Sequence, residues 1–452
     1  MTPPDPRPAE GAASDLHRAF WRWHFYAGLV VMPVLMLMAL TGGLYLFKDE
    51  IEGLVYRPLL VTPPAAASTP PRAWADAARL AVPGRLVQLS PPADATQSAR
   101  LVIETPQGAR RAVYVDPAGA SVLGSTPDGG LMQTIKRLHS LDLAGPIFNL
   151  LIEVVAGWAI VMVATGVVLW WPRGRAGPLK VRGDPAQRVF WRDLHALVGL
   201  FAGGIILFLA VTGMPWSAVW GKQVRGMINE AGLGRPDPPA GAAAAWSHGP
   251  SHPSGSADAP WALRDAEMRT HHRGQGLSLD GAVARVDAAG LPRPYLLTLP
   301  NGPGGTWSAA HMPDRVQGMR TLYLDGTDGR VVADIGYGQF GAGAKAVEWV
   351  IAVHQGRQFG SANRLVMLAG CVAIWLLGTS ALVMWWKRRP KGRFAAPAGP
   401  ANPRAYAALG AVVLPIAILY PLVGASLAVV LALDLIVRRI ALSLRRPPKA
   451  RT

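Results

Sequence analysis

Cysteine is all but missing: Cys371 is alone in 452 residues. A disulfide within the chain, a cysteine-built iron–sulfur or structural zinc site and a C-x-x-C-H haem attachment are all excluded. Charge is scarce as well. Only 16% of residues are charged and 50% are hydrophobic, whereas soluble domains carry roughly 25% charged residues. The composition therefore points away from an ordinary water-soluble enzyme and excludes a disordered chain, which would be poor in apolar residues. What the sequence does have is long uncharged apolar runs, at 27–47, 194–219 and 365–386. Each is long enough to span a bilayer, which takes about 20 residues. The chain reads as an integral membrane protein.

The net charge of +17 would suit a nucleic-acid binder, but its placement does not. Four segments beside the apolar runs, 1–23, 172–192, 387–404 and 438–452, hold 21 of the 45 Lys and Arg residues and only four acids. The remainder balances, 24 basic against 24 acidic residues. This is the positive-inside pattern. It puts the N-terminus in the cytoplasm, with span one acting as an uncleaved anchor. The chain then divides into span one (1–47), a first outer domain (48–138), spans two and three around a basic loop (139–220), a second outer domain (221–345), span four (346–390) and a C-terminal segment (391–452). The apolar stretch 405–437 contains Pro415 and Pro421. Read as a hairpin turning at Tyr420-Pro421, it keeps the basic tail inside and brings the total to six spans, though each arm is short.

The chain also repeats itself. Span one has Trp21-Arg22-Trp23-His24, Gly28 and Thr41-Gly42; span three has Trp191-Arg192-Asp193-Leu194-His195, Gly199 and Thr212-Gly213. Span two has His139, Gly145 and Trp170-Trp171, and span four has His354, Gly360 and Trp385-Trp386 at the same spacings. The outer regions match too. Val113 to Leu123 and Leu322 to Val332 each alternate like a strand, turn at Asp116/Gly119 or Asp325/Gly329, and enter a second strand. Helix-like stretches precede them at 72–82 and 279–290, so each outer domain is expected to be a small α+β unit. Residues 236–262 read as a flexible Ala/Pro/Gly/Ser insertion.

Four of the ten histidines occupy matching places. His24 and His195 lie at the cytoplasmic start of outgoing helices, and His139 and His354 at the outer start of returning ones. Imidazoles from two helices can hold one haem iron between them. Pairing by depth gives His24 with His195 and His139 with His354, with Gly28 and Gly199 leaving backbone surface for a flat macrocycle. The plainer reading is that each histidine is an amphipathic side chain at a membrane interface. Read as one helix from His139 to Trp171, span two would be roughly 48 Å long and would lift the outer pair to the membrane surface. His17, one heptad before His24, is the substitute ligand.

These residues resemble the PepSY-associated transmembrane family, which includes inner-membrane siderophore-iron reductases of the ferrioxamine type. The resemblance rests on the Trp-Arg…His-x3-Gly starts, the Thr-Gly pairs, Leu138-His139, His354-x-Gly356-Arg357-x-Phe359-Gly360 and Trp385-Trp386-Lys387-Arg388-Arg389-Pro390. It implies an α-helical membrane protein with two PepSY-like periplasmic domains and two non-covalent b-type haems on His24, His195, His139 and His354. Electrons would pass outward to a periplasmic ferric siderophore from a quinol or a cytoplasmic flavoprotein.

Other motifs carry less. Gly336-Tyr337-Gly338-Gln339-Phe340-Gly341 matches a dinucleotide fingerprint, but no βαβ unit surrounds it and no acid follows about 20 residues on, so a linker is expected. Glu153 lies inside span two, as a candidate for quinol protons or as a partner of Asn149. Asp434 is expected to face the basic tail. His248, His252, His271, His272 and His311 fit no standard metal spacing. The competing non-enzyme reading is a membrane-anchored PepSY module that inhibits or senses a periplasmic peptidase. A transporter built on Glu153 is disfavoured because the repeats are parallel.

Overall fold

The computed structural model describes residues 8–64, 67–171, 179–239, 276–302, 304–389, 400, 402 and 404–444. The chain forms two compact units, one of residues 1–40, 144–223 and 368–452, the other of 41–143 and 224–367. In chain order the first helices are α1 (Pro8–Tyr45), α2 (Lys48–Val55), α3 (Arg57–Leu60) and α4 (Pro71–Ala81). Strands β1 (Arg85–Ser90), β2 (Ala99–Glu104), β3 (Arg110–Asp116) and β4 (Ser121–Pro127) follow, then α5 (Gly130–His139), α6 (Pro146–Trp170), α7 (Arg188–Gly213) and α8 (Trp220–Glu230). The second half has α9 (Leu279–Ala288), β5 (Leu296–Thr298), β6 (Gly304–His311), β7 (Arg320–Gly326), β8 (Val331–Gly336), α10 (Ala342–His354), α11 (Gly360–Arg388), α12 (Ala405–Leu419) and α13 (Pro421–Leu444).

In the helical unit, four helices are long and apolar enough to cross a membrane: Asp15–Tyr45, Ile147–Trp170, Arg188–Trp216 and Gly360–Arg388. Large apolar side chains such as Val30, Phe201 and Ile418 are more than 70% exposed on this unit. That is a liability in water and the natural state of a lipid-facing surface. Helices meet through small residues, as expected where lipid and side chain are equally apolar. A Cβ on Gly157 of α6 would lie 2.1 Å from a methyl of Val423 on α13, so any larger residue at that crossing must displace the valine side chain. Beside it, Trp158 Nε1 donates to Ser426 Oγ at 2.9 Å. The break foreseen at Tyr420-Pro421 is present: Tyr420 is extended at φ −118, ψ 93, and α12 and α13 are separate helices of 15 and 24 residues.

In the other unit the strands form one eight-stranded antiparallel sheet, in the order β4-β3-β2-β1-β5-β6-β7-β8. The sequence leads one to expect a small α+β unit in each outer region. Instead the first strand of each half pairs with the other, Gln88 with Thr298 and Leu89 with Leu297. The physical reason is an edge problem: an isolated half would leave β1 or β5 with an open row of backbone groups, and mutual pairing closes both. One core spans the seam. It includes Trp74 and Ala78 of α4, Val283 and Val286 of α9, and Leu101, Val113, Leu297 and Leu322 of the sheet. The helices are also tied at their starts, where the Arg72 backbone N–H donates to Asp280 Oδ1 at 2.7 Å. The two hairpin turns are Asx-type as the sequence indicated: Asp116 Oδ1 accepts from Ala118 N and Asp325 Oδ1 from Thr327 N.

Candidate functional site

From their spacing His139 and His354 are expected at the start of returning helices. They are instead the last residues of α5 and α10. After His139 the chain breaks at Gly145 (φ +108) before Pro146 opens α6; after His354 it breaks at Gly356 (φ +73) and Gly360 (φ +61). Glycine alone takes such angles freely, and proline at the first helical position restarts a helix without losing a bond. The long helix from His139 to Trp171 does not exist, since α6 has 25 residues.

The first histidine pair lies in the helical unit. His24 of α1 and His195 of α7 have ring centroids 6.4 Å apart and planes at 88°. That spacing alone also suits two bare rings meeting edge to face. Their hydrogen bonds say more. Thr165 Oγ1 of α6 lies 2.8 Å from Val161 O and 2.9 Å from His24 Nδ1; with the hydroxyl proton on that carbonyl, the imidazole donates to the oxygen. His195 Nδ1 lies 3.2 Å from Leu377 O, which can only accept, and 2.9 Å from Ser380 Oγ, whose proton goes to Leu377 O. In this arrangement both rings carry the proton on Nδ1, as the Leu377 carbonyl requires for His195, and leave the Nε2 lone pair open. A second partner on Nδ1 is how proteins orient a metal-binding histidine and fix its tautomer. Two metal–nitrogen bonds of about 2 Å, plus the ring on each side, put the centroids roughly 6 Å apart. The residues present thus fit an iron held between two imidazoles. Thr165 and Ser380 are 1% and 0% exposed, so water does not compete for these bonds.

The second pair lies in the sheet-bearing unit. His139 Nδ1 is 3.1 Å from Thr41 Oγ1. A Cβ on Gly42 would come within 3.2 Å of the same ring, so the Thr-Gly pair supplies a hydrogen-bond partner and the room beside it. His354 is pushed down from 6.5 to about 3, first by burial and then by the charge of neighbouring His139. The carbonyl end of a helix favours imidazolium by at most about 2 kcal/mol, and the two opposing effects outweigh it. His354 is neutral at pH 7, the state in which imidazole binds metal.

Other candidates fare differently. Met162 and Leu377 occupy the space beside Gly28 and Gly199, at 3.5 and 3.7 Å from the positions of added Cβ atoms. His24, not His17, meets His195. His311 Nδ1 lies 3.1 Å from Pro294 O at an exposed strand end. His248, His252, His271, His272 and most of 236–262 lie outside the described residues, as does the Asp434 side chain. Among the described residues there is no group of three or more His, Cys, Asp or Glu able to hold a metal ion. The 336–341 glycine motif is a packed turn: Gly336 N donates to Gln339 Oε1 at 2.7 Å, Phe340 is 3% exposed, and a Cβ on Gly341 would strike the Leu233 backbone. Glu153 is fully buried, and its Oε2 accepts from Trp220 N, the first residue of α8, at 3.0 Å.

Thr165 and Ser380 are not among the candidates the sequence singles out. The repeat contained the signal, since each lies 26 residues beyond its histidine, His139 or His354. A lone hydroxyl in an apolar helix draws attention only once that register is applied.

A family model described as the PepSY-associated TM region matches residues 21–388. No curated protein matches the chain. The match covers most of the sequence, and the chain belongs to that family.

Proposed function

We propose that this member of the PepSY-associated TM family is a ferric-siderophore reductase of the bacterial inner membrane. It is an oxidoreductase carrying two non-covalent b-type haems, one on His24 and His195 near the cytoplasmic face and one on His139 and His354 near the periplasmic face. The observation that carries the reading is the first pair: two imidazoles 6.4 Å apart, each with Nδ1 bonded to a buried partner and Nε2 left open. Bound haem iron supplies reversible one-electron chemistry. The chain's residues do the rest. Thr165, Ser380 and the Leu377 carbonyl hold the first two rings in the ligating tautomer, Thr41 bonds His139, and burial keeps His354 neutral.

The acceptor is a ferric siderophore. Its hard oxygen ligands grip Fe(III) far more tightly than Fe(II), so one added electron loosens the complex with no covalent bond broken. The donor is a quinol or a cytoplasmic flavoprotein. In this reading the helix–domain–helix unit is duplicated, and α12 and α13 form a short hairpin that completes six spans. The N-terminus and the basic loops are cytoplasmic, and the two PepSY-like regions face the periplasm. The matched positions of Thr165 and Ser380 support the duplication.

Absorbance of the detergent-purified protein tests the cofactor. A Soret band with reducible low-spin bands, at two haems per chain, is the expected result. A colourless protein would overturn the reading and leave the peptidase-directed PepSY module as the better account. Adding ferric siderophores to dithionite-reduced protein tests the acceptor: reoxidation is expected, and an inert pigment would reject siderophores as substrate.

A further inference from the structure

We infer that Glu153 is the proton acceptor of a quinol site in the helical unit, so that the electron donor is a membrane quinol, an inference that rests on the two-haem reading above. Glu153 lies near the start of α6 and is 0% exposed. Burying a carboxyl group among apolar side chains is costly unless both oxygens find partners. Oε2 has one, the backbone N–H of Trp220 at 3.0 Å. Oε1 is enclosed and has none. Capping α8 does not account for this. A negative group at a helix start is stabilising, but one oxygen serves that bond, and the next N–H, of Gly221, already donates to Ser217 Oγ at 3.1 Å. A neutral serine or asparagine caps a helix as well and leaves no acid to bury. Ionisable side chains inside a membrane bundle mark functional sites by default.

The neighbours of the carboxyl group are aromatic. The Trp220 and Tyr420 rings lie 5.6 Å apart, tilted by 42°, and Glu153 is close enough to act electrostatically on the Tyr420 hydroxyl. Tyr420 is the extended residue between α12 and α13, and it shares a buried cluster with Met214 and Val423. All these residues belong to the helical unit. An acceptor oxygen beside two flat apolar rings, in a unit with a lipid-facing surface, suits a ligand that is itself a flat apolar ring bearing an O–H. A quinol has both features. Trp220 is only partly buried, and its side chain is the one that moves aside to admit the ring.

The reaction balances without a further reactant. The quinol loses two electrons and two protons and becomes the quinone. Its O–H bonds break in turn, and each proton bonds to Glu153 Oε1 and passes to water at the membrane surface before the next arrives. The electrons go one at a time to ferric haem iron.

The test uses the full-length, haem-loaded protein in detergent. Decylubiquinol is the donor, and heptyl-hydroxyquinoline N-oxide, a quinol analogue that transfers no electrons, is the binding probe. The wild type should be reduced by decylubiquinol and should prefer the probe to its O-methyl ether. Glu153→Gln should lose roughly ten- to a hundredfold in affinity for the probe, as for other hydrogen bonds to charged groups, and should bind the ether as the wild type does. Its reduction by decylubiquinol should slow in proportion, while haem content and reduction by dithionite stay as they were. Trp220→Leu keeps the backbone N–H that bonds Glu153 and removes the aromatic wall, so it should weaken probe and ether alike. A Glu153→Gln protein that binds the probe and takes electrons from decylubiquinol as the wild type does would overturn the inference. So would a wild type that dithionite reduces and decylubiquinol does not, which leaves a flavoprotein as the donor. Should Glu153→Gln fail to fold, Trp220→Leu decides the matter, and undiminished affinity for the probe counts against the inference. A wild type without haem would bring down the two-haem reading and this inference with it, and is recognised before any residue is changed.

Discussion

A hydroxyl that already donates to a carbonyl has only lone pairs left to offer, and this makes Thr165 and Ser380 informative. Thr165→Val removes the acceptor of His24 Nδ1 and leaves that N–H buried and unbonded, at a cost of about 1–3 kcal/mol. A metal on the same ring should be held about 10–100-fold more weakly. Ser380→Ala should do less, because the Leu377 carbonyl remains within 3.2 Å of His195 Nδ1. Thermal midpoints and haem content of the two variants check the order; equal losses would refute it. A second residue reports through pH. Tyr295, 1% exposed, donates to Asp287 Oδ1 at 3.0 Å. Burial, then the Asp287 carboxylate, raises its ionisation above the usual value. A raised folded-state value means a contribution that is complete below the unfolded tyrosine's pKa of about 10 and shrinks above it. The gap in thermal midpoint between wild type and Tyr295→Phe should therefore stay constant up to about pH 9 and narrow beyond pH 10. A gap independent of pH would show that the hydroxyl is not the source.

Among the elements, α4, α9 and the two Asx-turn hairpins were legible because each rests on local signals: an amphipathic pattern, a Pro or Ser at the helix start, an Asp at the turn. The breaks after His139 and His354 were not foreseen, because the segments between the helices are short and glycine backbone angles at Gly145, Gly356 and Gly360 are what separate one helix from the next. Gly145-Pro146 was the available clue, a strong breaker pair read only as part of a spacing. Gly356 shows what such a break demands. An added Cβ would lie 2.8 Å from a Leu46 methyl and 3.1 Å from Arg364 Cα. The methyl can move; the backbone cannot. Gly356→Ala should cost about 1–2 kcal/mol for the left-handed conformation alone. It should displace the end of α10, so that the site at His139 and His354 fails before that at His24 and His195. Haem counts at each site in the purified variant test this, and full occupancy with an unchanged midpoint would contradict it.

For the whole molecule, the membrane character and the four long spans were legible in composition and run length, because lipid imposes a demand that every window of sequence must meet. Pairing of β1 with β5 was not, since it joins residues more than 200 positions apart and nothing in either strand names its partner. The seam makes a cooperative demand. Leu89 and Leu297 are both fully buried across it, and Leu297→Ala should cost about 2–5 kcal/mol. Hydrogen exchange should then quicken in β2 and β3 as well as in β6 and β7. Quickening confined to the second half would mean that the halves are energetically independent. The same pairing governs what happens if the chain is cut. Either four-stranded piece, produced by itself, would present a bare β1 or β5 flank to its own copies, and self-assembly into dimers or fibrils is the outcome to guard against when these regions are expressed as soluble fragments.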